Sequence, residues 1–172
     1  LSHPNVVKVY DLIEDEESAW AVMELIEGQT LRELVEDEGP LGIEETAFYL
    51  DQIALALQHL HAQGIVHLDV KPHNVVLQED GSIKLVDFGL AASPGVDFTI
   101  AGTRGFTAPE IGQGLRLPAN DVFSLACTAW TCIFHEKPFK GWTFQAFWAE
   151  VRAAAPPTPK HSTLTRNFVM TL

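Results

Sequence analysis

Three things are scarce in this sequence. Positive charge is the first: 11 lysines and arginines face 23 acids over 172 residues, a formal net charge of −12. A chain of that sign is a poor binder of nucleic acid or of an anionic membrane surface. Long apolar runs are the second. No stretch reaches the roughly 20 residues that cross a bilayer, and no basic, apolar and small-residue succession marks a signal peptide, so a cytoplasmic chain with no membrane segment is expected. Cysteine is the third, with two residues only. Cys127 and Cys132 lie in an apolar segment and are expected as buried thiols of a reducing compartment, neither a disulfide nor a metal site. There is no internal repeat and no long low-complexity tract.

What is present is enough for a core, with 47% hydrophobic residues. Val6 to Leu12 and Ala19 to Leu25 are β-rich runs around the acidic turn Glu14 to Glu17, and read as an antiparallel pair. Two strands alone are marginal in water, so they are expected to belong to a larger sheet. The acidic stretch Glu36 to Glu38 reads as a solvated loop or helix end. From Glu44 to His61, apolar residues recur at Ala47, Leu50, Ile53, Ala54, Leu57 and Leu60, the spacing of a helix with one buried face, and Gly64 is its stop. Val75 to Leu77 and Ile83 to Val86 form a second strand pair around Glu79-Asp80-Gly81. Val122 to Phe134 is apolar nearly all round and reads as a buried helix. Trp142 to Arg152 reads as another, stopped by the proline-rich Ala153 to Pro159. The succession implies an α+β chain with a mostly helical body and a remnant of sheet at its start.

Between the long helix and the second strand pair lies His67-Leu68-Asp69-Val70-Lys71-Pro72-His73-Asn74. A carboxylate, an ammonium and an amide within six residues suit phosphoryl transfer: the first takes a hydroxyl proton, the second neutralises a phosphoryl group, and the third ligates Mg²⁺. After the next hairpin, Asp87 in Val86-Asp87-Phe88-Gly89 offers a hard oxygen for a metal at a strand end, and Gly89 allows a sharp turn beside it.

These two stretches resemble the catalytic loop and the metal-binding motif of the eukaryotic-type serine/threonine protein kinases. Thr107-Ala108-Pro109-Glu110 resembles the end of their activation segment, and Asp121-Val122-Phe123-Ser124 the start of their central helix. Leu1 to Val7 resembles the entry to their fourth strand, and Val22 to Gly28 their fifth strand and hinge. The plain style of residues 61–77 is closest to bacterial members. The resemblance implies a protein-kinase-like fold, with residues 1–28 as the end of the small lobe and the hinge, and residues 29–172 as an incomplete, mostly helical large lobe.

The resemblance also implies roles. Asp69 would orient and deprotonate the substrate hydroxyl, Lys71 would steady the phosphoryl group, and Asn74 and Asp87 would hold Mg²⁺. The carbonyl of Glu24 and the amide of Ile26 would bind the adenine of ATP, with Met23 as gatekeeper and Val76 as an apolar floor. The substrate would be a protein with serine or threonine, as Lys71 two residues after Asp69 implies. His67, Phe88 and Val9 would stack as an internal spine anchored by Asp121. His73 would lie on the surface, Thr103 would hydrogen-bond the catalytic loop, and Ser93 and Thr99 would be candidates for phosphorylation.

Some positions depart from the family pattern. Leu68 stands where an arginine usually pairs with an activation-loop phosphate, and Ala126 stands where glycine is usual. Arg104 and Phe106 are variants in the segment that receives the substrate peptide. No glycine-rich loop or strand lysine with its acidic partner is present, and Lys8 lies in the wrong strand to substitute. A partial domain, inactive in isolation, is therefore expected. Glu110 is expected in a partly buried site, without its usual late arginine and with Arg166 too early to replace it. Two other readings are a non-catalytic kinase-like binding module and a small-molecule phosphotransferase of kinase-like fold. The second lacks the Ala108-Pro109-Glu110 segment.

Overall fold

The computed structural model describes residues 2–15, 18–141 and 143–153. Strands β1 (Val9–Glu14) and β2 (Ala19–Met23) form the expected antiparallel hairpin, with Val9 opposite Met23 and Ile13 opposite Trp20. The first strand starts later than its apolar run does. Val6 and Val7 are buried in the body instead, where Val7 N–H donates to the Leu85 carbonyl (3.0 Å) and Leu85 N–H to that of Asn5 (2.9 Å). The hairpin is a two-stranded sheet among the described residues, and β1 is exposed along its whole length. Val9 is 41% exposed and so does not join a buried spine.

A two-residue strand, β3 (Gln29–Thr30), leads directly into α1 (Leu31–Glu38). Its exposed last residues, Glu36 to Glu38, are the solvated helix end that the acidic run suggested, while the helix itself, from Leu31, had not been anticipated. Its N-terminus is a capping box: Thr30 Oγ1 accepts from Glu33 N–H (3.1 Å), and the Glu33 carboxylate accepts from Thr30 N–H (2.7 Å). Its inward face is Leu31, Leu34 and Val35. Eight residues are too few to hold a helix alone, so this burial decides that it forms.

Helix α2 (Ile43–Ala62) buries Leu50, Ile53, Leu57 and Leu60 as its periodicity requires. Strands β4 (Val75–Leu77) and β5 (Ile83–Leu85) pair antiparallel, and β3 adds to the other edge of β4. Strand β6 (Gly95–Val96) pairs with β7 (Leu115–Arg116). Helix α3 (Pro118–Phe134) packs on α2, and α4 (Phe144–Arg152) follows. Trp142 and the proline-rich stop from residue 154 onward lie outside the described residues, as does Arg166.

The interior of α3 holds three hydroxyls at no cost in unsatisfied groups. Ser124, Thr128 and Thr131 donate to the carbonyls of Asn120, Ser124 and Cys127, each four residues back (2.9–3.0 Å). The helix is not buried all round, because Val122 is 53% exposed. Cys127 and Cys132 are buried free thiols, and burial pushes the Cys132 pKa up to about 12 and that of Cys127 higher still.

Leu60 is fully buried and Leu55, on the same helix, is 45% exposed. Leu60→Ala is expected to cost about 2–5 kcal/mol in urea unfolding, and Leu55→Ala less than about 0.5 kcal/mol. Equal effects would contradict this assignment of the buried face.

Candidate active site

The loop after α2 is held from beneath by one carboxylate. Asp121, near the start of α3, is fully buried. Its Oδ2 accepts from His67 N–H (2.9 Å) and lies 2.8 Å from His61 Nε2, and its Oδ1 accepts from Leu68 N–H (2.8 Å). Leu68 has φ of +67°, a left-handed conformation that an L-residue adopts only under constraint. Two charge-assisted hydrogen bonds to consecutive amides supply that constraint.

The turn at Leu68 delivers Asp69 to the top of the loop, 5% exposed. Its Oδ2 accepts from Lys71 Nζ (2.6 Å) and Asn74 Nδ2 (3.0 Å), and its Oδ1 from Thr103 Oγ1 (2.7 Å). Lys71 Nζ also donates to Thr103 Oγ1 (2.8 Å), so the ammonium lies between the carboxylate and the hydroxyl. Asn74 Nδ2 donates as well to the Asp69 carbonyl (3.0 Å), which turns the Asn74 side-chain oxygen away from Asp69.

Asp87 reaches the same neighbourhood along β5. Val86 N–H donates to the Asn74 carbonyl (2.9 Å), and Asp87 follows with φ of +65° and an exposed side chain. Gly89 N–H caps its Oδ1 at 3.2 Å. No group of three or more histidine, cysteine, aspartate or glutamate side chains among the described residues is arranged to hold a metal. An exposed carboxylate and an amide oxygen, on two segments joined by the Val86–Asn74 backbone hydrogen bond, are hard oxygen donors of the kind Mg²⁺ takes when it is shared with a phosphate substrate, and in their chemistry the residues fit that ion.

His67 lies inside, its ring edge-on to Phe88 at 5.0 Å. Its Nδ1 accepts from Asp69 N–H (3.3 Å), so the proton is on Nε2 and points at the Val86 carbonyl (3.1 Å). Desolvation lowers its pKa against the pull of Asp121, which keeps it neutral and structural. His73 is exposed, as expected.

The residues expected to form the hinge follow β2. Glu24 N–H donates to the Lys8 carbonyl (2.9 Å), but Lys8 N–H turns to the Glu24 side chain (2.8 Å) and not to its carbonyl. The same carboxylate oxygen holds Lys84 Nζ at 2.7 Å. Met23 is 44% exposed and Ile26 half-buried. Val76, expected as the apolar floor, lies on β4 opposite Thr30 of β3. Lys8 Nζ lies over the Tyr10 ring at 5.3 Å.

The segment after Asp87 is docked by apolar contact. Leu68 is 3% exposed and packs with Val66, Ala101, Ile111 and Trp148, where an arginine would have needed an anion. Gly102, at φ of +103°, lets the backbone approach, since a Cβ there would lie 2.9 Å from the Leu68 carbonyl oxygen. Arg116 adds an ion pair with Asp97 (2.8 Å) and donates to the Thr99 carbonyl (3.3 Å), and Ser93 and Thr99 are exposed. Glu110 is also exposed, which corrects its expected partial burial and removes the cost of leaving it unpaired. Two contributors escaped the sequence reading, His61 and Lys84. Each meets its partner 60 residues away, and nothing local marks either.

The profile of the protein kinase domain family matches residues 1–167. Among curated proteins, the chain is 36% identical over 147 residues to the serine/threonine-protein kinase PrkC of Bacillus subtilis, covering 82% of this chain and 23% of that one. It is 37% identical over 152 residues to the serine/threonine-protein kinase PknB of Mycobacterium leprae, covering 82% and 24%. With the Arabidopsis thaliana serine/threonine-protein kinase RUNKEL the identity is 33%, over 98% of this chain and 13% of that one. The chain thus spans about a quarter or less of the length of these relatives.

The neutral His67 makes stability depend on pH. Its pKa in the fold lies below the ordinary 6.5, so its contribution is complete above about pH 6.5 and is lost as pH falls through the lower folded value. Unfolding free energy is expected to decline as pH falls below about 6.5, less steeply in His67→Phe, which keeps a ring against Phe88. The same decline in both proteins would assign the titration elsewhere.

Proposed function

We propose, from the premise that this chain belongs to the protein kinase family, that its parent protein moves the γ-phosphoryl group of ATP to serine or threonine hydroxyls of a protein substrate. The observation that carries the reading is the Asp69 carboxylate, 5% exposed and oriented by Lys71, Asn74 and Thr103. A carboxylate so fixed accepts a hydroxyl proton without first reorganising. The hydroxyl oxygen bonds to the γ-phosphorus, the bond from that phosphorus to the bridging oxygen breaks, the proton passes to Asp69, and ADP leaves.

Lys71 would neutralise charge on the transferring group, while Thr103 holds Lys71 and Asp69 in register. Asn74 and Asp87 would hold Mg²⁺, which supplies charge neutralisation on the phosphates. Glu24 and Ile26 would meet adenine through their backbone, with Met23 and Val76 closing the apolar faces. Residues 1–28 would serve as the end of the small lobe and the hinge, and the rest as large lobe. Leu68 supports a docked activation segment that needs no phosphate there. The two free buried thiols fit a cytoplasmic location, and no helix among the described residues is long and apolar enough to cross a membrane. The non-catalytic reading is not favoured, since the acid, lysine, amide and metal positions are all retained and the matched relatives are serine/threonine kinases.

In the full-length protein, Asp69→Asn is expected to lower phosphate transfer by roughly 10²–10⁴-fold and leave Mg²⁺-dependent nucleotide binding intact. Nucleotide binding with no transfer, unchanged by Asp69→Asn, would instead indicate the binding module. Thr99→Ala is expected to leave transfer within about twofold, because Leu68 offers a phosphate no partner. Loss of activity in Thr99→Ala would sink that part of the account.

A further inference from the structure

The cations of this acidic chain are unevenly placed. Arg32, Lys71, Arg104, Lys137 and Lys140 are five of its 11 lysines and arginines. Arg104, Lys137 and Lys140 line one cavity of about 290 Å³ with Gly105, Phe139 and Gly141. Lys137 Nζ donates to the Arg104 carbonyl (3.1 Å) and lies over the Phe106 ring at 5.4 Å, and no carboxylate among the described residues pairs with it. Desolvation first, and then the nearby charges of Arg104, Arg32 and Lys71, lower its pKa. Gly105 has φ of +99°, and a Cβ there would lie 2.7 Å from Lys137 Cδ, so the lysine stem passes directly over the backbone of this segment. At the outer end Glu136 pairs with Lys140 Nζ (2.8 Å) and Glu150 accepts from Lys140 N–H (2.8 Å) and Gly141 N–H (3.2 Å), while Arg32 and Lys71 hold Glu36 and Asp69.

The distance to the reacting centre is short. Thr103 Oγ1 touches Asp69, and Gly105 is two residues on, at most about 8 Å along the backbone. An extended peptide covers about 3.3 Å per residue. A side chain two or three residues from the acceptor hydroxyl therefore reaches the cavity.

We propose that this cavity selects the protein substrate, taking an anionic side chain close to the phosphoacceptor, with Arg104 and Lys137 as its inner wall and Lys140 as its rim. The proposal rests on the kinase reading for its acceptor. The anion is a carboxylate or a phosphate, since a guanidinium and an ammonium bind both. The overall charge of −12 repels acidic peptides at a distance, so the preference comes from this local site and not from the global field.

The test compares three fluorescent peptides around one central serine, flanked by glutamate, by phosphoserine or by lysine, on the full-length protein. Binding is read by anisotropy and transfer by phosphate incorporation. Each anionic peptide is expected to bind and react roughly five- to tenfold better than the lysine peptide. Lys137→Met, which keeps the stem over Phe106, and Lys140→Glu are each expected to shrink that ratio and leave the rate on a neutral peptide unchanged. A gain for phosphoserine alone would narrow the ligand to phosphate. Equal binding of all three peptides, or a preference that survives both substitutions, would overturn the proposal. If the kinase reading fails, no peptide is phosphorylated, yet the anisotropy ratio still reports on the cavity.

Discussion

The arrangement depends on the carboxylate of Asp121 under the backbone of His67 and Leu68. It is fully buried, and a buried charge is tolerated only when its lone pairs are occupied. Here two consecutive amides and the His61 ring occupy them. In return Leu68 is held at positive φ, the chain turns, and Asp69 emerges at the mouth of the loop while the Leu68 side chain goes inward. One buried carboxylate thus fixes both the position of Asp69, the proposed base, and the apolar seat of the segment that carries Thr103. Removing it would leave a strained residue with nothing to balance the strain.

Much of this was legible in the sequence, and the reason differs by element. Helix α2 was visible because its buried face repeats at 3.6 residues, and the β4–β5 pair because a turn sits between two apolar runs. Asp69, Lys71 and Asn74 were visible because a loop of six residues brings them together without long-range folding. Helix α1 was overlooked although Thr30 and Glu33 spell its cap, because the acidic run at its end drew the eye to solvent. The start of β1 was misplaced because Val6 and Val7 look like strand residues, and only their docking on Leu85 assigns them to the body. Lys137 and Lys140 carried no signal, since a lysine is ordinarily solvated and only the fold places these beside Arg104.

Several of the buried polar groups serve to orient the backbone around them. The hydroxyls of Ser124, Thr128 and Thr131 fold back on α3, His67 is kept neutral, and the thiols remain protonated. The Asp69 and Lys71 side chains sit where the loops converge, on a packed apolar scaffold. That arrangement lets the Lys71 ammonium sit 2.6 Å from the largely buried Asp69 carboxylate while the layer beneath holds both still.

Hydrogen exchange at the amides of residues 66–70 in Asp121→Asn measures the anchor most directly. The account expects exchange there to accelerate by roughly 30–100-fold relative to the parent sequence, with the amides of residues 50–60 in α2 protected as before. Unchanged protection of the His67 and Leu68 amides would show that the loop holds its shape without the carboxylate, and would contradict the claim that Asp121 sets the position of Asp69.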